Sequence, residues 1–130
     1  MIILTLRTDK PESEIGLFDS EVCLVYEKWE AHRQLAETLH HKIKNLLDSR
    51  SMSWNQIEGI VAYKGPGSFT GLRIGLSVAN ALAYANNAPI IAEVNEDWIA
   101  AGVKKILQHK GEKQIVPEYG AEAHITLPKK

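Results

Sequence analysis

The sequence predicts an α/β fold, a mixed sheet of about five strands covered by helices in the order β-β-β-α-β-α-β-α. Three observations carry this. The first thirty residues hold three short apolar runs without helical periodicity. From residue 31 onward, helical patterns alternate with short apolar strands. And 130 residues, 45% hydrophobic and 24% charged, suit one globular core rather than two.

The Ile-rich run 1–6 reads as a strand buried on both faces. After Lys10-Pro11-Glu12, residues 14–18 form a second strand, and Asp19-Ser20 separate it from a third at 22–26. These three make an antiparallel meander. Over 31–48, Leu35, Leu39, Ile43, Leu46 and Leu47 recur at helical spacing and define one greasy side. Ser53 is a candidate N-cap for a short turn at 54–57. Residues 58–63 read as a central strand, and a helix at 69–86 ends at Asn86-Asn87 before Pro89. A strand at 89–94 and a helix at 96–108 complete the alternation. Residues 1–110 are then one lobe, and 111–130 an extended tail with little periodicity. The whole pattern resembles the ribonuclease H-like fold of the actin-like ATPase superfamily.

Charge and cysteine content narrow the function. A net charge of -1 lacks the positive field of a protein that grips nucleic acid unaided. No apolar run reaches membrane-spanning length, and Asp9, Glu12 and Glu14 break the N-terminal stretch too early for a signal peptide. The single cysteine, Cys23, has no internal disulfide partner, which points to the cytoplasm. Zinc ribbons, disulfide scaffolds, membrane proteins and self-sufficient two-lobed enzymes are therefore not expected.

Gly65-Pro66-Gly67-Ser68-Phe69-Thr70-Gly71 lies between a strand and a helix. Glycines permit close backbone approach, and a helix start offers free N–H groups, so Gly65, Gly67, Ser68, Thr70 and Gly71 are candidates for holding a phosphate or carboxylate. The spacing matches neither a Walker loop nor Gly-x-Gly-x-x-Gly, and the same glycines also serve simply to turn the chain. The loop alone leaves both readings open.

The helix behind it is unusual. Ten of the fourteen residues from 72 to 85 are apolar or glycine, and Arg73, Ser77, Asn80 and Tyr84 form one narrow polar stripe. Such a helix wants burial nearly all round, and a small chain buries a comparatively low fraction of its surface. Gly75, Ala79 and Ala83, flanked by Leu72 and Leu76, are therefore expected to form a strip for a partner helix, with Leu35, Leu39 and Ile43 of the first helix beside it. On this expectation Ala79→Glu breaks the pairing and leaves the domain folded. An internal role for the same strip, against the first helix of the chain itself, is the competing reading.

The run Gly65-Pro66-Gly67-Ser68-Phe69-Thr70-Gly71-Leu72-Arg73-Ile74-Gly75 resembles the signature of the TsaB (YeaZ) family. Ile60-Val61-Ala62, Pro89-Ile90-Ile91-Ala92, Ala31-His32, Pro117-Glu118-Tyr119 and Leu127-Pro128-Lys129 carry similar likenesses. The resemblance implies a non-catalytic subunit in tRNA threonylcarbamoyladenosine synthesis, without a cofactor of its own. It would pair with a TsaD-like catalytic subunit through the first two helices of each, with a TsaE-like ATPase joining the pair. Contact with tRNA would be indirect, and a homodimer would form when the partner is missing. Two departures stand out. Family members have two lobes, whereas this chain is expected to be a one-lobed version. Arg7 stands where the family carries an acid after the first strand, and an arginine cannot ligate Mg²⁺.

Other chemistry is thin. His40 and His41 diverge by about 100° on a helix and do not chelate one ion comfortably. His32, His109 and His124 read as structural, and there is no His-Glu-x-x-His or Cys/His cluster. Ser68 lacks the Gly-x-Ser-x-Gly context of a nucleophile and reads as an N-cap. Arg73, on the polar stripe one turn into the helix, is placed either to bind an anion or to pair with a nearby carboxylate, and the pairing is the expectation. The rival functions are a small nucleotide- or phosphate-binding enzyme built on the glycine loop, and a self-associating scaffold.

Overall fold

The computed structural model of the chain describes residues 1–31, 34–66 and 69–108. Its first strand, β1 (Ile2–Arg7), is where the apolar run predicts it, and Ile3, Leu4, Thr5 and Leu6 are buried on both faces. Burial on both sides requires neighbours on both edges. β2 (Glu12–Asp19) pairs with it antiparallel, matching Leu4 with Leu17 and Arg7 with Glu14. β4 (Gly59–Tyr63) pairs with it parallel on the other edge. Outside these lie β3 (Val22–Glu30) and β5 (Ile90–Glu93), so the sheet order is β3-β2-β1-β4-β5. The antiparallel meander and mixed five-stranded sheet of the α/β prediction are both present.

The meander differs from the expectation in detail, with β2 longer than the predicted 14–18 at both ends. The β2–β3 turn is Ser20-Glu21 rather than Asp19-Ser20, with Ser20 in the left-handed region at φ 57°. β3 also runs four residues past Tyr26 to Glu30. As an edge strand it needs no continuous apolar run, and its charged residues guard an exposed edge.

α1 (Leu35–Ser49) and α2 (Phe69–Asn86) cover one face of the sheet, and α3 (Trp98–Leu107) covers β4 and β5 on the other. α1 starts at Leu35 rather than at residue 31. Its Leu39, Ile43 and Leu47 share one hydrophobic core with Leu4, Leu17, Ile60 and Leu76. Lys42 on its flank pairs with Glu27 of β3 at 2.6 Å. α2 spans the residues its sequence predicts. Its C-terminus closes with Asn87 left-handed at φ 51°, while Asn86 Nδ2 donates to the carbonyls of Trp54 (2.8 Å) and Ile57 (3.0 Å). Ser53 opens the short 3-10 turn Trp54–Gln56, with Gln56 Oε1 accepting from its backbone N–H at 2.8 Å. α3 seats directly on β4: a side chain at Gly102 would place its Cβ 2.2 Å from Val61 Cγ1. The expected tail at 111–130 lies outside the described residues.

Candidate functional site

The glycine-rich loop and α2 meet the end of β1 at very short range. A Cβ at Gly71 would lie 2.0 Å from the Thr8 carbonyl oxygen, and one at Gly75 would lie 2.1 Å from Thr8 Oγ1. The Thr8 hydroxyl in turn donates to the Gly71 carbonyl at 2.7 Å. Upstream, Gly65 turns the chain at φ 111°, a conformation that L side chains rarely adopt. Three glycines of the motif thus have backbone reasons to be glycine. Gly67 and Ser68 lie outside the described residues, as does His32. Thr70 is exposed on the first turn of α2.

Close approach fixes how α2 is rotated, and this corrects the expected docking strip. Leu35, Leu39, Ile43, Leu72, Leu76, Ala79 and Ala83 are each at most 5% exposed, and Gly75 is buried too. Small residues at 75, 79 and 83 let α2 lie tightly on the chain's own sheet, so they are core. The strip open to solvent is the adjacent flank. Ile74, Val78 and Leu82, at i, i+4 and i+8, are half-buried, and Arg73, Ser77, Ala81, Tyr84 and Ala85 are exposed, Tyr84 at 88%. Ala36 of α1, with Thr70, Arg73, Ile74, Ser77 and Val78, lines a groove of about 460 Å³ between the two helices. Sequence reasoning missed this flank because α2 is apolar on nearly every side; the i, i+4 repeat of Ile74, Val78 and Leu82 was the available signal. Arg73 has no carboxylate partner among the described residues, contrary to the pairing expected for it.

The opposite side of β1 carries a polar cluster with no counterpart in the sequence reading. Arg7 donates through Nε to Asp9 Oδ1 (2.7 Å) and through Nη2 to Asp9 Oδ2 (3.2 Å), and its guanidinium stacks 3.8 Å from the Tyr63 ring centre. The cross-strand neighbour Glu14 accepts a hydrogen bond from the Tyr26 hydroxyl. All of these except Tyr26 are at most 9% exposed. Burial works against the charged form of Arg7, but the bonded carboxylate of Asp9 outweighs it and holds the guanidinium above its ordinary value. Burial, then the hydrogen bond to Glu14, pushes the Tyr26 phenol up. The Arg7–Glu14 pairing across a short turn was readable in principle from strand alternation.

Arg7 occupies the end of β1 and engages both oxygens of Asp9, and no group of three or more His, Cys, Asp or Glu side chains suited to a metal occurs among the described residues. His40 instead stacks on Trp54, with ring centres 4.8 Å apart.

The family model described as "TsaD: tRNA N6-adenosine threonylcarbamoyltransferase" matches residues 29–109. A tRNA threonylcarbamoyladenosine biosynthesis protein TsaB from Haemophilus influenzae is 34% identical over 76 residues, covering 54% of this chain and 32% of that protein. A tRNA N6-adenosine threonylcarbamoyltransferase from Syntrophobacter fumaroxidans is 36% identical over 62 residues, covering 48% of this chain and 18% of that protein. The chain thus spans a third or less of the length of these curated relatives. The solved structure of YeaZ from Pseudomonas aeruginosa superposes with a TM-score of 0.67 at 26% identity, over 72% of this chain and 44% of that one. With the family match running from the last residues of β3 through α3, more than half of the chain, the chain belongs to the tRNA N6-adenosine threonylcarbamoyltransferase (TsaD) family and, within it, stands with the TsaB (YeaZ) proteins.

Proposed function

We propose that this chain is a non-catalytic subunit that binds and orders a TsaD-like subunit, which transfers threonylcarbamoyl to the adenosine beside the tRNA anticodon. The observation that supports it most is the outward flank of α2, where Ile74, Val78 and Leu82 remain half-exposed beside the groove to Ala36. Apolar side chains in a row on a helix, rimmed by Arg73, Ser77 and Tyr84, are what a second pair of helices packs against. The docking face moves from the buried strip of Gly75, Ala79 and Ala83 to this flank. The neutralised Arg7–Asp9 pair supports a subunit without metal chemistry of its own, and weighs against a nucleotide-using enzyme.

The same proposal includes a cytoplasmic setting, indirect contact with tRNA, room for a TsaE-like ATPase, and one lobe over residues 1–110 followed by a tail. No helix among the described residues is long and apolar enough to cross a membrane. The test is co-expression with the cognate TsaD-like protein, followed by sizing and a threonylcarbamoylation assay with and without this chain. Co-elution and a chain-dependent rise in modification are expected. Two proteins that ignore each other at micromolar concentration would end the proposal.

A further inference from the structure

A second hollow, of about 210 Å³, continues the α1–α2 groove toward the β1–β2 turn; the two share Thr70 and Ile74. Ser13 of β2 lies in its lining. It is fully buried, and its hydroxyl has no hydrogen-bond partner. A buried hydroxyl without a partner is destabilising, so a fold keeps one only for a reason. The charges around it are one-sided. Lys10 lines the second hollow and Arg73 the first, and neither has an ion pair among the described residues. The only carboxylate in either lining is Asp9, whose two oxygens are both taken by Arg7.

We propose that the groove recognises an acidic side chain: the docked helix of the partner subunit places an Asp or Glu carboxylate where the two hollows meet. A carboxylate only accepts hydrogen bonds, and the two linings supply donors: the hydroxyl of Thr70, shared by both, that of Ser13 in one, and the cations of Lys10 in the one and Arg73 in the other. Thr8 is not among them, since its hydroxyl is engaged by Gly71. The inference rests on the docking face proposed above and adds its anchor, which sets the register of the partner helix along α2.

The experiment measures the dissociation constant of the chain with its cognate TsaD-like subunit, alongside thermal unfolding of each variant. Ser13→Ala removes only an unpartnered hydroxyl, so its melting temperature equals or exceeds the unaltered chain's, while pairing weakens about tenfold. Arg73→Glu weakens pairing at least about tenfold, and reversing the matching acid on the partner restores it. Two results overturn the inference and leave the docking face standing. One is Val78→Asp abolishing the complex while Ser13→Ala and Arg73→Glu bind within about twofold of the unaltered chain. The other is a lower melting temperature for Ser13→Ala, which would assign the hydroxyl an internal role. If the unaltered chain forms no complex, docking face and anchor fall together.

Discussion

Arg7 shows how one residue redirects a site. Placed at the end of a buried strand, a guanidinium must find anions, and it finds Asp9 two residues on and Glu14 directly across the antiparallel pair. Replacing it with methionine keeps much of the volume and leaves the Asp9 carboxylate buried and unpaired. Arg7→Met is therefore expected to lower stability by about 3 kcal/mol in a urea titration, whereas Arg7→Met with Asp9→Asn recovers most of the loss. Tyr26 makes a second residue-scale prediction. Its phenol is held above the ordinary 10.0 by burial and by Glu14, so above that pH the unfolded chain sheds a proton the folded chain keeps. Stability contributed by Tyr26 is then fully present below pH 10 and declines as pH rises above it. Tyr26→Phe should show a flatter loss of stability between pH 9 and pH 11 than the unaltered chain, read by denaturant midpoints at each pH. Arg7 stood out in the sequence only through the family resemblance, as the residue standing where an acid is expected after the first strand. That it would be matched by Asp9 and stacked on Tyr63 depends on register and on a parallel neighbour, which no local pattern encodes.

At the scale of elements, α2 separates what patterning can and cannot fix. Its length follows from local chemistry, because Asn86, Asn87 and Pro89 stop a helix wherever it lies. Its rotation does not, because leucine, isoleucine, valine and alanine surround it and several faces satisfy the same periodicity. The deciding contacts are non-local: Thr8 leaves no room for a Cβ at Gly71 or Gly75, and this turns Ala79 and Ala83 inward. Two neighbouring substitutions test that rotation. Ala79→Glu buries an unpaired charge against the sheet and is expected to cost about 3 kcal/mol or more, seen as aggregation or a large fall in melting temperature. Val78→Asp adds a charge on the half-exposed flank; it should change stability by about 1 kcal/mol or less and abolish pairing with the TsaD-like subunit. The reverse pattern would restore the buried strip as the docking face. β3 teaches the same lesson for a sheet. Its apolar start, Val22 to Tyr26, was legible, but its polar half is strand only because β2 is there to pair with, up to Glu12 with Glu30.

For the molecule as a whole, the layers leave an asymmetry that bears on assembly. α3 and the α1–α2 pair each cover the sheet, yet α2 still turns an apolar row and an 88% exposed Tyr84 to solvent. Exposed apolar surface of this kind draws in whatever matches it, and a second copy is always present at equal concentration. Two α2 helices crossing about a two-fold axis would cover each other's Ile74, Val78 and Tyr84, while their Arg73 side chains add like charge to the assembly. That balance predicts a weak homodimer, displaced by a partner that brings acids rather than arginines. Sedimentation velocity on the unaltered chain should show concentration-dependent self-association, abolished by Val78→Asp. It should be strengthened by added salt, which screens repulsion between like charges within about a Debye length, near 8 Å at physiological ionic strength. Adding the TsaD-like subunit should replace the dimer with a one-to-one complex whose affinity instead falls with salt. Self-association that persists in Val78→Asp, or that coexists with bound partner, would place it on another surface and separate the two assemblies.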